Sequence, residues 1–201
     1  MPTRRINPLS DQRATLILAE ARGDVNALQR ARTSEDSTIR AVALGGLDRL
    51  EALTIADLTT ALGDQAAEVR CRAIELAIGF GEIDLVPMLR DRDDLVVETC
   101  AWALGERGPA VSSVVRPLSD VASSHDVSIC REAAVAALGA IGSPDGLPAI
   151  LAAMQDRAPV RRRAVLALAP FDGEQVTDAL HAALEDRDRQ VRQAAEDLLG
   201  T

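Results

Sequence analysis

The 201-residue sequence combines an apolar fraction of 47% with an aromatic fraction of only 1%, and it carries 22 basic against 31 acidic side chains. This aliphatic composition favours an all-α core over a β-sandwich, which normally uses more β-branched and aromatic residues. The formal net charge of -9 argues against general binding to nucleic acids or anionic membranes, because an acidic protein is repelled by phosphate groups.

The N-terminal residues Met1 to Pro8 carry positive charge, but no apolar stretch of signal-peptide or transmembrane length follows them. We therefore expect a soluble, cytoplasmic protein. The cysteines Cys71, Cys100 and Cys130 are odd in number and widely spaced. This arrangement is typical of reduced thiols, and we expect these residues to be small and buried.

The chain is predicted to form a single repeat domain. Residues 1–9 are interpreted as an N-terminal arm and residues 10–33 as a divergent first repeat. Regular repeats are predicted over residues 34–187, and a C-terminal capping helix over residues 188–201. The capping role is predicted because Glu196 occupies a position that is small or apolar in the inner repeats.

A short motif recurs roughly every 30 residues along the chain. Within each copy, small or apolar residues three and four positions apart define one face of a helix, as Val160, Ala164 and Leu168 do. A second amphipathic segment separates successive copies, so the repeating unit is predicted to be helix, turn, helix, turn. The copies begin at Ile39, Val69, Val96, Cys130, Val160 and Val191, and the second helices are predicted over 55–62, 83–89, 111–121, 147–154 and 176–184.

Glycines lie near the ends of several first helices, at Gly105, Gly139 and Gly200. A residue without a Cβ atom adopts the left-handed conformation that often ends a helix. We therefore expect these glycines to be C-caps.

The repeats share an aspartate, then a Val-Arg pair such as Val160-Arg161, then an alanine-rich helix. From about residue 34 onward this pattern resembles the bacterial HEAT-like repeats, including the class named after phycobilisome lyases. The resemblance implies an all-α fold: a right-handed α-solenoid of stacked antiparallel helix pairs, of the armadillo type.

The resemblance also implies a hydrogen-bonded ladder between the aspartates and arginines of successive repeats. Val97 replaces the arginine of the third repeat, so a kink or altered twist is predicted near Asp91. Asp36, Asp126 and Asp156 precede other repeat arginines at slightly shorter spacing. The predicted ladder comprises Arg40, Asp64, Arg70, Asp91, Arg131, Arg161, Asp186 and Arg192.

The sequence lacks the constellations that support catalysis or metal binding. Its two histidines, His125 and His181, belong to different repeats, whereas a metal site needs several converging ligands. Neither histidine precedes a glutamate, so the sequence lacks the His-Glu pairs of deoxyhypusine hydroxylase, a HEAT-like enzyme. It also has no phosphate-binding glycine loop and no Gly-x-Ser-x-Gly elbow. We predict no catalytic, metal or cofactor site.

The predicted function is a non-catalytic protein–protein interaction scaffold, adaptor or regulatory subunit. One alternative, a bilin lyase or chaperone, is implied by the phycobilisome resemblance but disfavoured by the scarcity of aromatic and histidine side chains. The other is nucleic-acid binding through arginines such as Arg157, Arg162 and Arg189, which acidic residues interrupt. The identity of the partner and the oligomeric state remain open.

The predicted binding residues belong to two groups. The resemblance places the second helices on the concave side of the solenoid, where their outward positions face a partner. Trp102 is the sequence's one tryptophan and a candidate surface hot spot. The predicted partner-binding residues are Thr59, Arg90, Trp102, Leu151, Gln155, Asp178, His181 and Glu185.

Overall fold

The computed structural model describes residues 8–108 and 112–200, with side chains from residue 12 onward and, after the gap, from residue 113. All regular secondary structure in these ranges is helical, which confirms the predicted all-α class. The chain divides between Ile83 and Asp84 into two compact units, here called the N-terminal unit and the C-terminal unit. The assignment of the chain to a single repeat domain stays a prediction.

The N-terminal unit is built from helices that pack as successive neighbours. The third helix contacts the first, second and fifth, and the fourth contacts the fifth. Leu28, Leu47, Leu58 and Ile74 are fully buried between these helices. The helices are α1 (Pro8–Ala21), α2 (Val25–Ala31), α3 (Ser37–Arg49), α4 (Ile55–Leu62) and α5 (Ala67–Ala77).

Side-chain caps set where α3 and α4 begin. The Asp36 carboxylate accepts hydrogen bonds from the backbone N–H groups of Thr38 (2.8 Å) and Ile39 (3.3 Å). At α4, Thr54 and Asp57 form a reciprocal capping box. Each cap satisfies N–H groups that have no partner within the helix, and such caps stabilise a helix by about 1 kcal/mol.

The C-terminal unit contains two layers of helices. In the first layer α8 contacts α6 and α10, and α10 contacts α12; in the second layer α7 contacts α9. Across the layers α7 contacts α8, α9 contacts α10 and α11 contacts α12. Such pairs of consecutive packed helices are the repeating element of an α-solenoid. The helices are α6 (Asp94–Glu106), α7 (Val115–Ser124), α8 (Ser128–Ile141), α9 (Leu147–Ala153), α10 (Ala158–Ala167), α11 (Glu174–Leu184) and α12 (Arg189–Leu199), with 3₁₀ turns at Val86–Arg90, Ser112–Val114 and Pro144–Gly146.

The helix predicted over 83–89 is wrong in type, because the structure has a 3₁₀ turn at Val86–Arg90. Pro87 is not the cause, because α9 and α10 also carry proline in their first turn and are α-helices. The element has only five residues, since the backbone is extended again at Asp91, and so short a segment gains little from α-helical hydrogen bonds. The turn begins with a hydrogen bond from the Val86 N–H to the Asp84 carboxylate (2.9 Å).

The remaining second helices agree with prediction to within a few residues. The predicted segments 55–62, 147–154 and 176–184 correspond to α4, α9 and α11. Val111, where the segment 111–121 was predicted to start, lies outside the described residues, as do residues 1–7 of the predicted arm. From residue 112 the segment begins with a 3₁₀ turn and continues as α7.

Two of the three glycines predicted to be C-caps have a different role. Gly105 and Gly139 lie inside α6 and α8 and are buried. A Cβ atom on Gly139 would lie 2.7 Å from the Cα of Ala167, and one on Gly105 would lie 2.9 Å from the Cα of Ala137. These glycines let consecutive first helices approach closely. Gly200 does cap α12 in the left-handed conformation, with a φ of 70°.

Candidate functional site

Arginines in the first helices form bidentate ion pairs with aspartates of the following repeat. Arg161 Nε donates to Asp186 Oδ2 (2.8 Å) and its Nη2 donates to Oδ1 (2.7 Å). Arg131 binds Asp156 in the same way, with distances of 2.6 and 2.8 Å. In the N-terminal unit, Arg40 repeats the arrangement with Asp64, at 2.8 and 2.6 Å.

The remaining guanidinium nitrogen of each arginine binds the loop that precedes its own helix. Arg161 Nη1 donates to the carbonyl oxygen of Asp156 (2.8 Å), and Arg192 Nη1 donates to that of Asp186 (2.7 Å). Arg70 Nη1 donates to the carbonyl oxygen of Asp64 (2.8 Å). Each arginine thus holds its own loop through the backbone, and the three bidentate arginines also hold the next repeat through a carboxylate.

The ion pairs shift the acidity of the aspartates. Hydrogen bonds from Arg40, Arg131 and Arg161 lower the pKa of Asp64, Asp156 and Asp186 respectively, against the opposing effect of burial. These aspartates are therefore ionised and hydrogen-bonded to their arginines at neutral pH. Such groups stabilise the stack and are not available as acids, bases or metal ligands.

Val97, which replaces the arginine of its repeat, is fully buried. Asp91 of the same repeat accepts a hydrogen bond from the Asp93 N–H (2.9 Å) and so shapes the turn before α6. Val97 therefore contributes to the core instead of the ladder. The predicted kink at this repeat stays a prediction.

An open groove lies on the first-helix layer of the C-terminal unit, between α6 and α8. It has a volume of about 450 Å³. An adjoining shallow depression of about 500 Å³ shares Ala136, Ala140 and Arg163 with it and continues to Leu166 and Pro170 on and after α10. We call these surfaces together the α8 groove; its lining includes Glu98, Trp102, Glu106, Ile129, Glu132, Ala133, Ala136, Ala140 and Arg163.

The floor of the α8 groove is apolar and unusually exposed. Trp102 is 47% exposed and Ile129 is 48% exposed. On α8, Ala133, Ala136 and Ala140 share one face because they are spaced by three and four residues. A large indole beside small methyl groups forms a concave apolar surface that water covers at a free-energy cost.

The rim of the α8 groove is mainly acidic. Glu98, Glu106 and Glu132 line it, against one cation, Arg163, whose Nη2 lies 3.4 Å from Glu132 Oε1. Burial, and secondarily the nearby Glu132 charge, raises the pKa of Glu98. Because burial and Glu132 both disfavour the ionised form of Glu98, a cation from a binding partner would be favoured beside it.

The predicted binding residues of the second helices lie apart from Trp102. Asp178, His181 and Glu185 are exposed and share one face at the end of α11. Leu151 is half-buried on α9, with exposed Gln155 just after it. The structure thus separates an α9–α11 group from the α8 groove. Of the other two, exposed Thr59 donates to the Ile55 carbonyl oxygen (2.8 Å) on α4, and exposed Arg90 ends the first 3₁₀ turn.

Sequence comparison identifies the repeats that carry these features. Residues 82–169 match the family described as HEAT repeats. Residues 160–186 match the family described as PBS lyase HEAT-like repeat. Residues 82–186 are HEAT-type repeats. The α8 groove lies entirely within these HEAT repeats. The search of curated proteins found no significant match to the sequence.

Several solved structures that are similar to this chain are engineered or designed proteins. An engineered protein of the Northeast Structural Genomics Consortium has a TM-score of 0.62 at 21% identity, over 88% of this chain and 97% of that chain. A second engineered protein from the same consortium gives 0.61 at 20% identity, over 92% of this chain and 59% of that one. A designed armadillo repeat protein gives 0.58 at 18% identity, over 86% and 97%. These similarities support the α-solenoid fold of HEAT or armadillo type.

A second, larger groove of about 830 Å³ lies between the Val86–Arg90 turn and α7. Beside it, Asp94, His125 and Cys130 bring ligand-type atoms within 4.8 Å of one another. The His125 Nδ1 accepts a hydrogen bond from the Val127 N–H (3.2 Å), which leaves the proton of a neutral imidazole on Nε2. The Cys130 thiol donates to the Asp94 carbonyl oxygen (3.3 Å), and burial raises its pKa to about 11. A metal ligand needs a free lone pair or a thiolate, so this hydrogen-bonded arrangement does not favour a metal.

Among the described helices, none combines the length and apolar character that crossing a membrane requires.

Proposed function

We propose that this protein is a non-catalytic interaction scaffold, adaptor or regulatory subunit that binds a segment of another protein. A HEAT-type solenoid is suited to this role because its stacked hairpins present extended surfaces. The observation that carries the proposal is the α8 groove. Its two large apolar side chains, Trp102 and Ile129, are about half exposed in a concave, partly acidic setting.

Exposed aromatic side chains in pockets contribute strongly to protein–protein binding. A tryptophan buries a large area and loses few rotamers on binding, whereas in the free protein its exposed face is hydrated unfavourably. Trp102 is held on α6 with its neighbours on α8, so the groove is formed before a partner arrives. The favoured contact site is therefore the first-helix layer.

The α9–α11 group is a second proposed contact surface. Asp178, His181 and Glu185 form an exposed polar face on α11, and Gln155 lies in the preceding repeat. A polar rim of this kind adjusts specificity and association rate more than affinity. We propose that it is secondary to the α8 groove.

The test is affinity capture of the tagged protein from its own cells, after nuclease treatment, with mass spectrometry of proteins recovered at near-stoichiometric amount. We expect one protein partner, with its recovery lost in Trp102→Ala, reduced in Glu185→Arg, and unchanged in Glu82→Arg, an exposed control position. A parallel sample without nuclease shows whether nucleic acid is captured instead. Recovery of nucleic acid alone in that sample, of a pigment with visible absorbance, or of nothing would contradict the scaffold proposal.

A further inference from the structure

The shape of the α8 groove restricts what it accommodates. Ala133, Ala136 and Ala140 form a floor without long side chains, and Trp102 forms one wall. Small side chains allow a helix to approach α8 at the short interaxial distances seen between packed helices, about 8 Å. The groove is also elongated, because the depression beside α10 continues it as far as Pro170.

The chemistry of the floor distinguishes a helical from an extended occupant. The floor offers methyl groups and an indole ring, and the helices that form it already use their own backbone groups in hydrogen bonds. An extended segment laid on this floor would leave some of its N–H and C=O groups without partners. An α-helix satisfies its backbone internally and presents only side chains.

The acidic rim of the groove favours basic side chains on either side of the apolar face of a bound helix. Three glutamates face the groove against Arg163, which already lies near Glu132. Glu98 is half-buried, and its raised pKa shows that its charge is incompletely compensated. Basic side chains from a bound helix would compensate Glu98 and Glu106 and would be attracted to the groove during approach.

We infer that the α8 groove binds an amphipathic α-helix whose apolar face is flanked by lysine or arginine side chains. The inference rests on the proposed scaffold function and specifies its partner. The apolar face of the helix packs on Trp102, Ile129 and the α8 alanines, and its basic flanks pair with Glu98 and Glu106. The larger groove between the Val86–Arg90 turn and α7 is not part of this site.

Intrinsic fluorescence provides a direct readout, because Trp102 is the single tryptophan and the chain has no tyrosine. The first probe is a peptide of about 18 residues, or five helical turns, with leucine and alanine on one face, lysine beside it, and no aromatic residue. We expect a saturable blue shift of the Trp102 emission. A twin peptide with glutamate replacing lysine should bind about tenfold more weakly or worse at low salt, and the difference should shrink as salt rises.

Two further comparisons test whether the bound peptide is helical and whether it binds in the α8 groove. A peptide of the same sequence except for two central prolines cannot form the helix and should lose binding. Ala136→Gln places a longer polar side chain on the floor and should weaken binding about tenfold. Ala182→Gln, at an exposed position on α11, is the matched control and should change nothing. Circular dichroism checks that both variants are folded.

The charge contribution is tested with Glu98→Gln and Glu106→Gln, each compared with Glu174→Gln on α11. The groove variants should reduce the preference for the lysine peptide over its glutamate twin, and the control should keep it. Equal affinity for the two twins, full binding of the proline peptide, absence of any emission change, or indifference to Ala136→Gln would overturn the inference. If affinity capture still recovers a protein partner in those cases, the scaffold function stands and only the groove assignment fails.

Discussion

Arg161 shows how a single side chain joins two repeats. Its side chain is nearly buried, and its guanidinium donates to both carboxylate oxygens of Asp186 and to the carbonyl oxygen of Asp156. Arginine suits this position better than lysine because its planar donors match the carboxylate geometry. The resemblance to HEAT-like repeats predicted that a ladder exists. It implied pairs between successive repeats, but it did not specify that the arginine also binds a carbonyl oxygen of its own loop.

Arg161→Ala should therefore destabilise the protein by about 2–3 kcal/mol, because removal of one partner leaves the half-buried Asp186 charge uncompensated. The adjacent Arg162 is exposed, and Arg162→Ala should change stability by less than about 0.5 kcal/mol. Urea unfolding followed by circular dichroism measures both. Equal stability of the two variants would show that the ladder contributes little.

The ladder also predicts an acid dependence of stability. Hydrogen bonds from arginines hold the pKa values of Asp64, Asp156 and Asp186 below the ordinary aspartate value in the folded protein. A lowered folded-state pKa means that the unfolded chain binds more protons, so stability is fully present above the unfolded value and falls as pH decreases through the folded value. The urea midpoint should decrease steadily below about pH 4.

The variant Asp186→Asn removes one titrating group and serves as the control for this acid dependence. Its urea midpoint should be lower at neutral pH but should depend less steeply on pH in the acid range. An unchanged slope would assign the acid sensitivity to carboxylates outside the ladder.

At the scale of whole helices, consecutive first helices are held at close range by glycines. The Cβ atom of an alanine at Gly139 would contact the backbone of Ala167 on α10 at 2.7 Å. Gly139→Ala should force α8 and α10 apart and destabilise the protein by about 1–3 kcal/mol. Thermal unfolding measures this effect.

The control for Gly139→Ala is Gly63→Ala, at the end of α4. Gly63 has a negative φ of -93°, and an added Cβ would meet only an ordinary contact at 3.5 Å. That variant should be nearly neutral or slightly stabilising, because alanine restricts the unfolded chain more than glycine does. Similar losses in the two variants would contradict a specific close approach at Gly139.

The helices were largely predictable from the sequence, and the exceptions have local causes. Periodicity of small and apolar residues located the first helices, because their buried faces repeat every three or four residues. The same periodicity was present over 83–89, but the element there is a five-residue 3₁₀ turn that ends before the extended Asp91. Gly105 and Gly139 looked like helix ends, since a sequence does not show which backbone comes close to a glycine.

The α8 groove was predictable only in part. Trp102 was identified as a surface candidate from its repeat position, and the structure places it half exposed. Its neighbours were missed because their exposure depends on how adjacent repeats pack. Ile129, an apolar residue immediately before the Cys130 copy of the motif, was the available signal, together with the alanines on the outer face of α8.

At the level of the whole chain, the regular HEAT-type repeats of residues 82–186 carry the α8 groove as an exposed apolar surface. The ladder makes the repeats of residues 126–192 similar to one another, whereas Trp102 and Ile129 break the pattern of polar surface. A scaffold needs both properties, since the regular stack provides rigidity and the exception provides a specific contact.

The chain contains no lysine, so all its side-chain cations are arginines. A carbodiimide reagent, which joins carboxylates to lysine amines without a spacer, therefore cannot link side chains within one molecule. Any link between a carboxylate of this protein and a lysine in a captured complex therefore identifies a lysine of the partner.

Carbodiimide cross-linking of the captured complex, followed by mass spectrometry, shows directly whether a partner helix occupies the α8 groove. We expect links from Glu98, Glu106 or Glu132 to lysines spaced three or four residues apart in the partner, as on one face of a helix. Links confined to Asp178 and Glu185 on α11, or to lysines without helical spacing, would contradict it.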